Sequence, residues 1–459
     1  MNKYKKIEES SGIRILTEGK IFNLLIRLAM PIMATGFFQM AYTLMNMAWL
    51  GRLGSKEMAA VGAIGIIFWF IQSIALLTKV GAEISIAHSI GANQREKART
   101  YASHTVTISI IIGILVSIIV FFAKDPIIAL FKLDANITEI AHQYLQITVL
   151  SIPFIFFNYT FWGIYNGIGR TSIPFYFLAV GFFTNMLTDP LLIFGIGGFG
   201  ALKTQGAAIA TVFSQLLVFG LFVWKMKQKN GILDRFPFLV RLQKSYTWII
   251  FKLGAPIAAM NCLFASINFY MARIASIHGG HLAVMSQTTG GQIEGITWNT
   301  SQGFATALGT FVAQNHAAKK TDRTVRAYQY TLLTLLSLGV ITTLAFLFAG
   351  KEIFGIFVIE KAARMAGGDY LYIMAFSQIF MMLEITTMGM WNGYGRTIPP
   401  ATVSIVFNLA RIPLALCLAP AFGISGVWLA ITISSVLKGI ISPGWWQFVF
   451  YKQFKHKYS

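Results

Sequence analysis

Four carboxylates interrupt long apolar runs: Glu83, Asp189, Glu294 and Glu384. The rest of the chain's 17 acids fall in tails, in connections or at the ends of such runs. An ionised carboxylate at mid-membrane costs at least about 2.5–3.5 kcal/mol, so an acid retained there is a functional candidate by default. Asp189 has the most suggestive surroundings. It precedes Pro190, which frees a backbone carbonyl one turn earlier, and follows Asn185 by one turn, so the two side chains share a helix face. A lone carboxylate in this oxygen-rich notch can exchange a proton where burial disfavours its charge, or it can ligate sodium. The structural alternative is that Asp189 bonds the helix break beside Pro190. Glu294 and Glu384 are read as cavity acids that attract a cationic substrate, against the alternative of buried, hydrogen-bonded glutamates. Lys79 and Glu83 stand four apart, the helical ion-pair spacing, and read as a self-neutralising structural pair. Arg411 shows no evident partner; Glu384 and the carbonyls freed near Pro413 are the candidates.

These residues need elements that cross a bilayer. Of 459 residues, 56% are hydrophobic and 12% charged, against roughly 45–50% and 25% in soluble domains. With a mean hydropathy of +0.64 over the whole length, this excludes a soluble enzyme. A spanning helix needs about 20 apolar residues. The sequence offers twelve such runs, near 21–50, 57–88, 101–123, 140–168, 173–197, 205–225, 247–275, 282–315, 327–349, 370–393, 398–421 and 424–450. The predicted fold is an all-α polytopic membrane protein. Cys262 and Cys417 lie within apolar runs and read as small core residues. The polar first twenty residues lack the apolar stretch of a secretory signal, so the chain is expected to keep its N-terminus. The net charge of +20 reflects basic connections rather than a nucleic-acid partner. Lys3, Lys5, Lys6, Arg14 and Lys20, then Arg95, Lys97 and Arg99, Arg170, the stretch from Lys225 to Lys244, Lys319 to Arg326, Arg396, and Lys452 to Lys457 alternate with sparsely charged turns. Cationic loops resist translocation, which places both termini in the cytoplasm of a plasma membrane, a bacterial inner membrane being the expected one.

The chain also repeats itself. Asn166-Gly-Ile-Gly-Arg-Thr171 returns as Asn392-Gly-Tyr-Gly-Arg-Thr397, Leu28-Ala-Met-Pro-Ile32 as Leu253-Gly-Ala-Pro-Ile257, and Asn185 to Pro190 as Asn408 to Pro413. Repeats with an even number of spans keep one orientation, so two six-helix lobes related by a pseudo-two-fold axis along the membrane normal are expected. The expected division is a tail at 1–20, an N-lobe at 21–225, an inter-lobe loop at 226–246, a C-lobe at 247–450 and a tail at 451–459. The frame aligns Ile412 with Asp189, so coupling chemistry is expected in the N-lobe alone. Pro31, Pro153, Pro256 and Pro413 read as kinks. The N-G-x-G-R-T turns read as helix caps, and Trp445, Trp446 and Tyr451 as an interfacial belt.

With Trp49-Leu-Gly-Arg-Leu-Gly54, Ala59-Ala-Val-Gly62, Ile90-Gly-Ala92, Val312-Ala-Gln-Asn-His-Ala317 and Asn185-x-x-x-Asp189-Pro190, the chain resembles the multidrug and toxic compound extrusion (MATE) transporters over nearly its whole length. The resemblance implies a V-shaped central cavity and export of organic cations or amphiphiles against inward flow of H+ or Na+. It also implies a monomer. In the branch whose coupling acids cluster in the N-lobe, it adds Tyr42, Thr211 and position 46 to Asn185 and Asp189. Position 46 departs from the pattern, since Asn46 stands where an aspartate is expected. The site then holds one carboxylate, with the oxygens of Asn46, Asn185 and Thr211 available to sodium.

The function expected is therefore a multidrug antiporter with no cofactor, its coupling ion H+ or Na+ and its partners small organic cations or amphiphiles and the lipid bilayer. A lipid-linked oligosaccharide flippase of the same superfamily is the nearest alternative; it would want a strongly cationic cavity for pyrophosphate. A membrane-embedded transferase is the remote one. It would need a clustered acid, base and nucleophile near one membrane face, and neither that nor a metal spacing of histidines is present in the sequence.

Overall fold

The structure, a computed structural model, describes residues 15–196, 200–228, 233, 236–358 and 360–458, the last eight by backbone alone. Lys3, Lys5, Lys6, Arg14, part of the 226–246 loop and the side chains of Tyr451 and Lys452 to Lys457 lie outside this description. The described residues form helices joined by short turns: α1 Ile21–Leu53, α2 Ser55–Gly91, α3 Arg95–Phe122, α4 Lys124–Ala129, α5 Ala135–Thr148, α6 Ile152–Gly167, α7 Ser172–Phe194, α8 Lys203–Lys227, α9 Lys244–Ala317, α10 Thr321–Gly355, α11 Lys361–Gly393, α12 Ile398–Phe422 and α13 Ile424–Tyr458.

Eleven of the described segments are long and apolar enough to cross a membrane. One of them is α9, whose 74 residues would extend about 110 Å as a single rod, more than twice a bilayer. Gly280, at φ 59° and ψ −152°, breaks it into two spans and restores the expected twelve. The fourth span is also composite. Its halves, α5 and α6, meet at a 3-10 turn, Val149–Ser151, and Pro153 then sits in the first turn of α6, where its missing N–H is no loss.

The surface identifies the solvent. On α3 the side chains of Ile111, Ile114, Leu115, Ile118 and Phe122 are exposed at helical spacing, while Ser103, Thr105, Thr107 and Ser109 are buried. Apolar outside and polar inside is stable only where hydrocarbon replaces water. The buried hydroxyls return their bonds to the helix, Thr105 to the Tyr101 carbonyl at 2.6 Å and Ser109 to Val106 at 2.8 Å. Cys417 is exposed and Cys262 half-buried, so neither is the small core residue expected. Trp446 is buried against Trp391, ring centroids 4.8 Å apart, and packs inside its unit instead of forming a belt.

The repeat is visible in the backbone. Gly169 and Gly395 both take positive φ, 77° and 71°. Each closes a left-handed helix end, with Gly169 N–H to Asn166 O at 2.8 Å and Gly395 N–H to Asn392 O at 2.9 Å. Asn93 and Lys319 repeat the device at φ 59° and 60°, also 226 residues apart.

The chain divides into two compact units, and their limits differ from the expected lobes. One unit is Ala34–Ala259 with the short stretch before α1; the other is Gly19–Met33 with Met260–Ser459. Each crossing point falls a turn or less beyond a proline of the repeated pair, Pro31 in α1 and Pro256 in α9. Proline removes a ladder bond and pushes against the carbonyl one turn back, so a helix can leave one bundle for another there.

Candidate functional site in the N-terminal unit

Asp189 lies near the end of α7 with 1% of its surface exposed, and Asn185 one turn earlier is equally buried. Around them the unit assembles Tyr42 and Asn46 from α1, Tyr144 from α5 and Thr211 from α8. Tyr42 Oη is 3.3 Å from Thr211 Oγ1 and also within hydrogen-bonding reach of Asn46. Tyr144 stands beside the same threonine. Thr211 donates its own proton to the Ala207 carbonyl at 3.0 Å, so its oxygen accepts from the Tyr42 phenol. Tyr42 thus spends its proton on Thr211. Both Asp189 oxygens and Asn185 Nδ2 are left buried without a hydrogen-bond partner among the described residues. Phe38 and Phe182 pack at 5.3 Å, and Phe182 meets Tyr42 edge-on at 6.4 Å, covering this side with aromatic surface.

All five residues expected at this site, Tyr42, Asn46, Asn185, Asp189 and Thr211, are thus brought together. Tyr144 is the member that sequence reasoning missed. The available signal was the repeat, which places Tyr144 and Tyr370 226 residues apart.

The other candidates lie elsewhere. Lys79 and Glu83 occupy α2 where α6 crosses it closely: a Cβ on Gly163 would meet the Lys79 carbonyl. This proximity sets the Lys79 ammonium 3.6 Å above the Trp162 ring, and Glu83 accepts from Asn166 Nδ2 at 3.3 Å. In the C-terminal unit Glu294 accepts from Tyr370 Oη at 2.6 Å and from Gln378 Nε2 at 3.2 Å. Glu384 accepts from Ser404 Oγ at 2.6 Å and pairs with Lys438 Nζ at 3.0 Å. Arg411 bonds neither Glu384 nor a carbonyl near Pro413; its donors reach Ser434 Oγ at 3.1 Å and Ser435 Oγ at 3.3 Å. Glu384 is therefore charge-compensated within its own unit, which gives it little attraction for a passing cation.

One buried acid, unpartnered in one repeat and replaced in the other, sits in a duplicated frame of helices. Residues 31–191 and 256–417 match the sequence pattern of the MatE family. The chain belongs to the MatE family. Among its relatives is the probable multidrug resistance protein NorM of Thermotoga maritima, 25% identical over 91% of this chain and 90% of that one. Another is an FAD transporter of Shewanella oneidensis, 24% identical over 93% and 94%. A solved MATE structure in the bent conformation matches 97% of this MatE chain and 98% of its own, with a TM-score of 0.90 at 21% identity, a likeness of fold.

Proposed function

We propose that the protein is a secondary active exporter of cationic or amphiphilic small molecules, driven by inward flow of H+ through Asp189 and working by alternating access as a monomer with both termini cytoplasmic. The observation that carries this reading is the Asp189 carboxylate, buried beside Tyr42, Tyr144, Asn185 and Thr211 with neither oxygen hydrogen-bonded among the described residues. Such a group needs a cation to offset its charge, and a proton fits a site whose Tyr42 phenol is already committed to Thr211. Sodium, ligated by Asn46, Asn185 and Thr211, is the second coupling ion the same oxygens would serve. Relatives named as multidrug resistance proteins support the cargo class. The flippase reading loses support because three span cations it would use are engaged: Lys79 by Trp162, Lys438 by Glu384 and Arg411 by two serines.

The test is reconstitution in liposomes with ethidium as cargo, under an imposed proton or sodium gradient, comparing wild type with Asp189→Asn. Gradient-driven movement in wild type and none in the variant supports the reading. Transport that survives the substitution refutes it, and dependence on sodium alone transfers the role to that ion.

A further inference from the structure

The two units solve the same electrostatic problem in opposite ways. The repeated N-x-x-x-x-P frames place Thr188 and Asp189 opposite Arg411 and Ile412, and the 226-residue offset of the N-G-x-G-R-T turns places Tyr144 opposite Tyr370. Where the N-terminal unit buries an acid with no counter-charge, the C-terminal unit buries a guanidinium, 6% exposed, among oxygens. Ser434 and Ser435 are its direct partners, and Ser434 gives its own proton to the Phe407 carbonyl, so its oxygen is a true acceptor. Glu384, Glu294 and Tyr370 act on Arg411 electrostatically without a direct bond to it. Phe264 presents its face 5.8 Å from the guanidinium carbon. Two further carbonyl oxygens are buried without a partner among the described residues: Asn408 Oδ1, one turn back on α12, and Oε1 of Gln378, whose amide nitrogen bonds Glu294. Hydroxyl, carboxylate and amide oxygens of this kind are the donors that hard cations select.

We propose that Arg411 is a tethered cation: its guanidinium fills, in the C-terminal unit, an oxygen-lined site that would otherwise take a mobile inorganic or organic cation. Charge balance follows from this. Glu384 is committed to Lys438, so Glu294 and Arg411 remain as an opposed pair, each held by neutral partners and free of direct contact with the other. The charges buried in the C-terminal unit, Glu294, Glu384, Arg411 and Lys438, then sum to zero without borrowing an ion. The exporter requires a diffusible cation only in the unit where Thr188 stands in place of a buried arginine, and Arg411 is a positioning residue that fixes where coupling cannot occur.

Removing the side chain should convert the site into a receptor for free cations. Purified Arg411→Ala protein in detergent is unfolded thermally at equal ionic strength in choline, sodium or guanidinium chloride, the last on the order of 10 mM, too dilute to denature but able to stabilise by binding. Wild type and Arg411→Lys are expected to show one midpoint in choline and guanidinium, and any sodium shift they share belongs to the N-terminal site and is subtracted from that of Arg411→Ala. Arg411→Ala should unfold several degrees lower in choline and regain at least half of that loss in guanidinium or sodium. Should Arg411→Ala fail to fold, Glu294→Gln/Arg411→Ala is expected to fold and to show no preference among salts, because the acid that demanded a cation is gone. The proposal is overturned if Arg411→Ala shows no salt-specific recovery beyond any shift that wild type shares, or if the double variant fails along with the single one. These measurements are of stability and stand whatever role Asp189 has in transport.

Discussion

Replacing Asp189 by leucine should make the protein more stable while abolishing its transport. The side chain is 1% exposed, and neither carboxylate oxygen has a hydrogen-bond partner among the described residues. A buried, unsatisfied polar atom costs about 1–3 kcal/mol, and an apolar group of similar shape removes that cost. Two such oxygens, less the imperfect fit of a branched side chain, predict a gain of about 2 kcal/mol for Asp189→Leu, with Asp189→Asn close to neutral. Thermal unfolding of purified protein in detergent, followed by tryptophan fluorescence, measures the order of the three proteins, and ethidium efflux from proteoliposomes measures the loss of function. Stability gained with activity lost is the signature of a site kept strained for its work. The reasoning fails if Asp189→Leu unfolds below wild type. That outcome would mean the carboxylate bonds the helix break at Pro190 and is structural.

Three further outcomes follow from the packing. Gly163→Val drives a side chain into the Lys79 carbonyl and should cost at least about 2 kcal/mol, read as a lowered midpoint of thermal unfolding. Trp162→Leu leaves the Lys79 ammonium without its ring and should cost about 2 kcal/mol, with the Lys79→Met/Trp162→Leu double variant recovering most of the loss in the same assay. Lys438→Met strands Glu384 and should cost about 3–5 kcal/mol, whereas the Glu384→Gln/Lys438→Met variant should cost far less; a double-mutant cycle that came out additive would contradict the pairing.

The sequence carried the fold well because hydrophobic length and local turn chemistry are properties of contiguous residues. The twelve runs, the break between the seventh and eighth spans and the two N-G-x-G-R-T caps all depend on neighbours within a few positions. The N-terminal site was legible in its α7 half, where Asn185 and Asp189 share a face through helical spacing alone. Tyr144 was not, because nothing within its own helix marks it; its meaning comes from Thr211, 67 residues away. The ion pairs show the same limit. Lys79 and Glu83 have the spacing of partners and act on one another electrostatically, but spacing does not show that close approach at Gly163 also brings Lys79 to an aromatic face. Arg411 and Lys438 found Ser434, Ser435 and Glu384 across helix boundaries that no periodicity predicts. The unit boundaries were missed for a related reason: connection length marks the 226–246 loop, whereas the division follows packing that changes sides at Pro31 and Pro256.

That exchange of helix segments has a consequence for biosynthesis. Residues 19–33 leave the ribosome among the first, but their packing partners begin at Met260 and are made last. The first unit, conversely, is complete only when the stretch up to Ala259 has been translated. Neither half of the gene therefore encodes a finished bundle. Fragments divided in the basic connection would each carry an orphaned half-helix, and should assemble into a stable protein only when produced together.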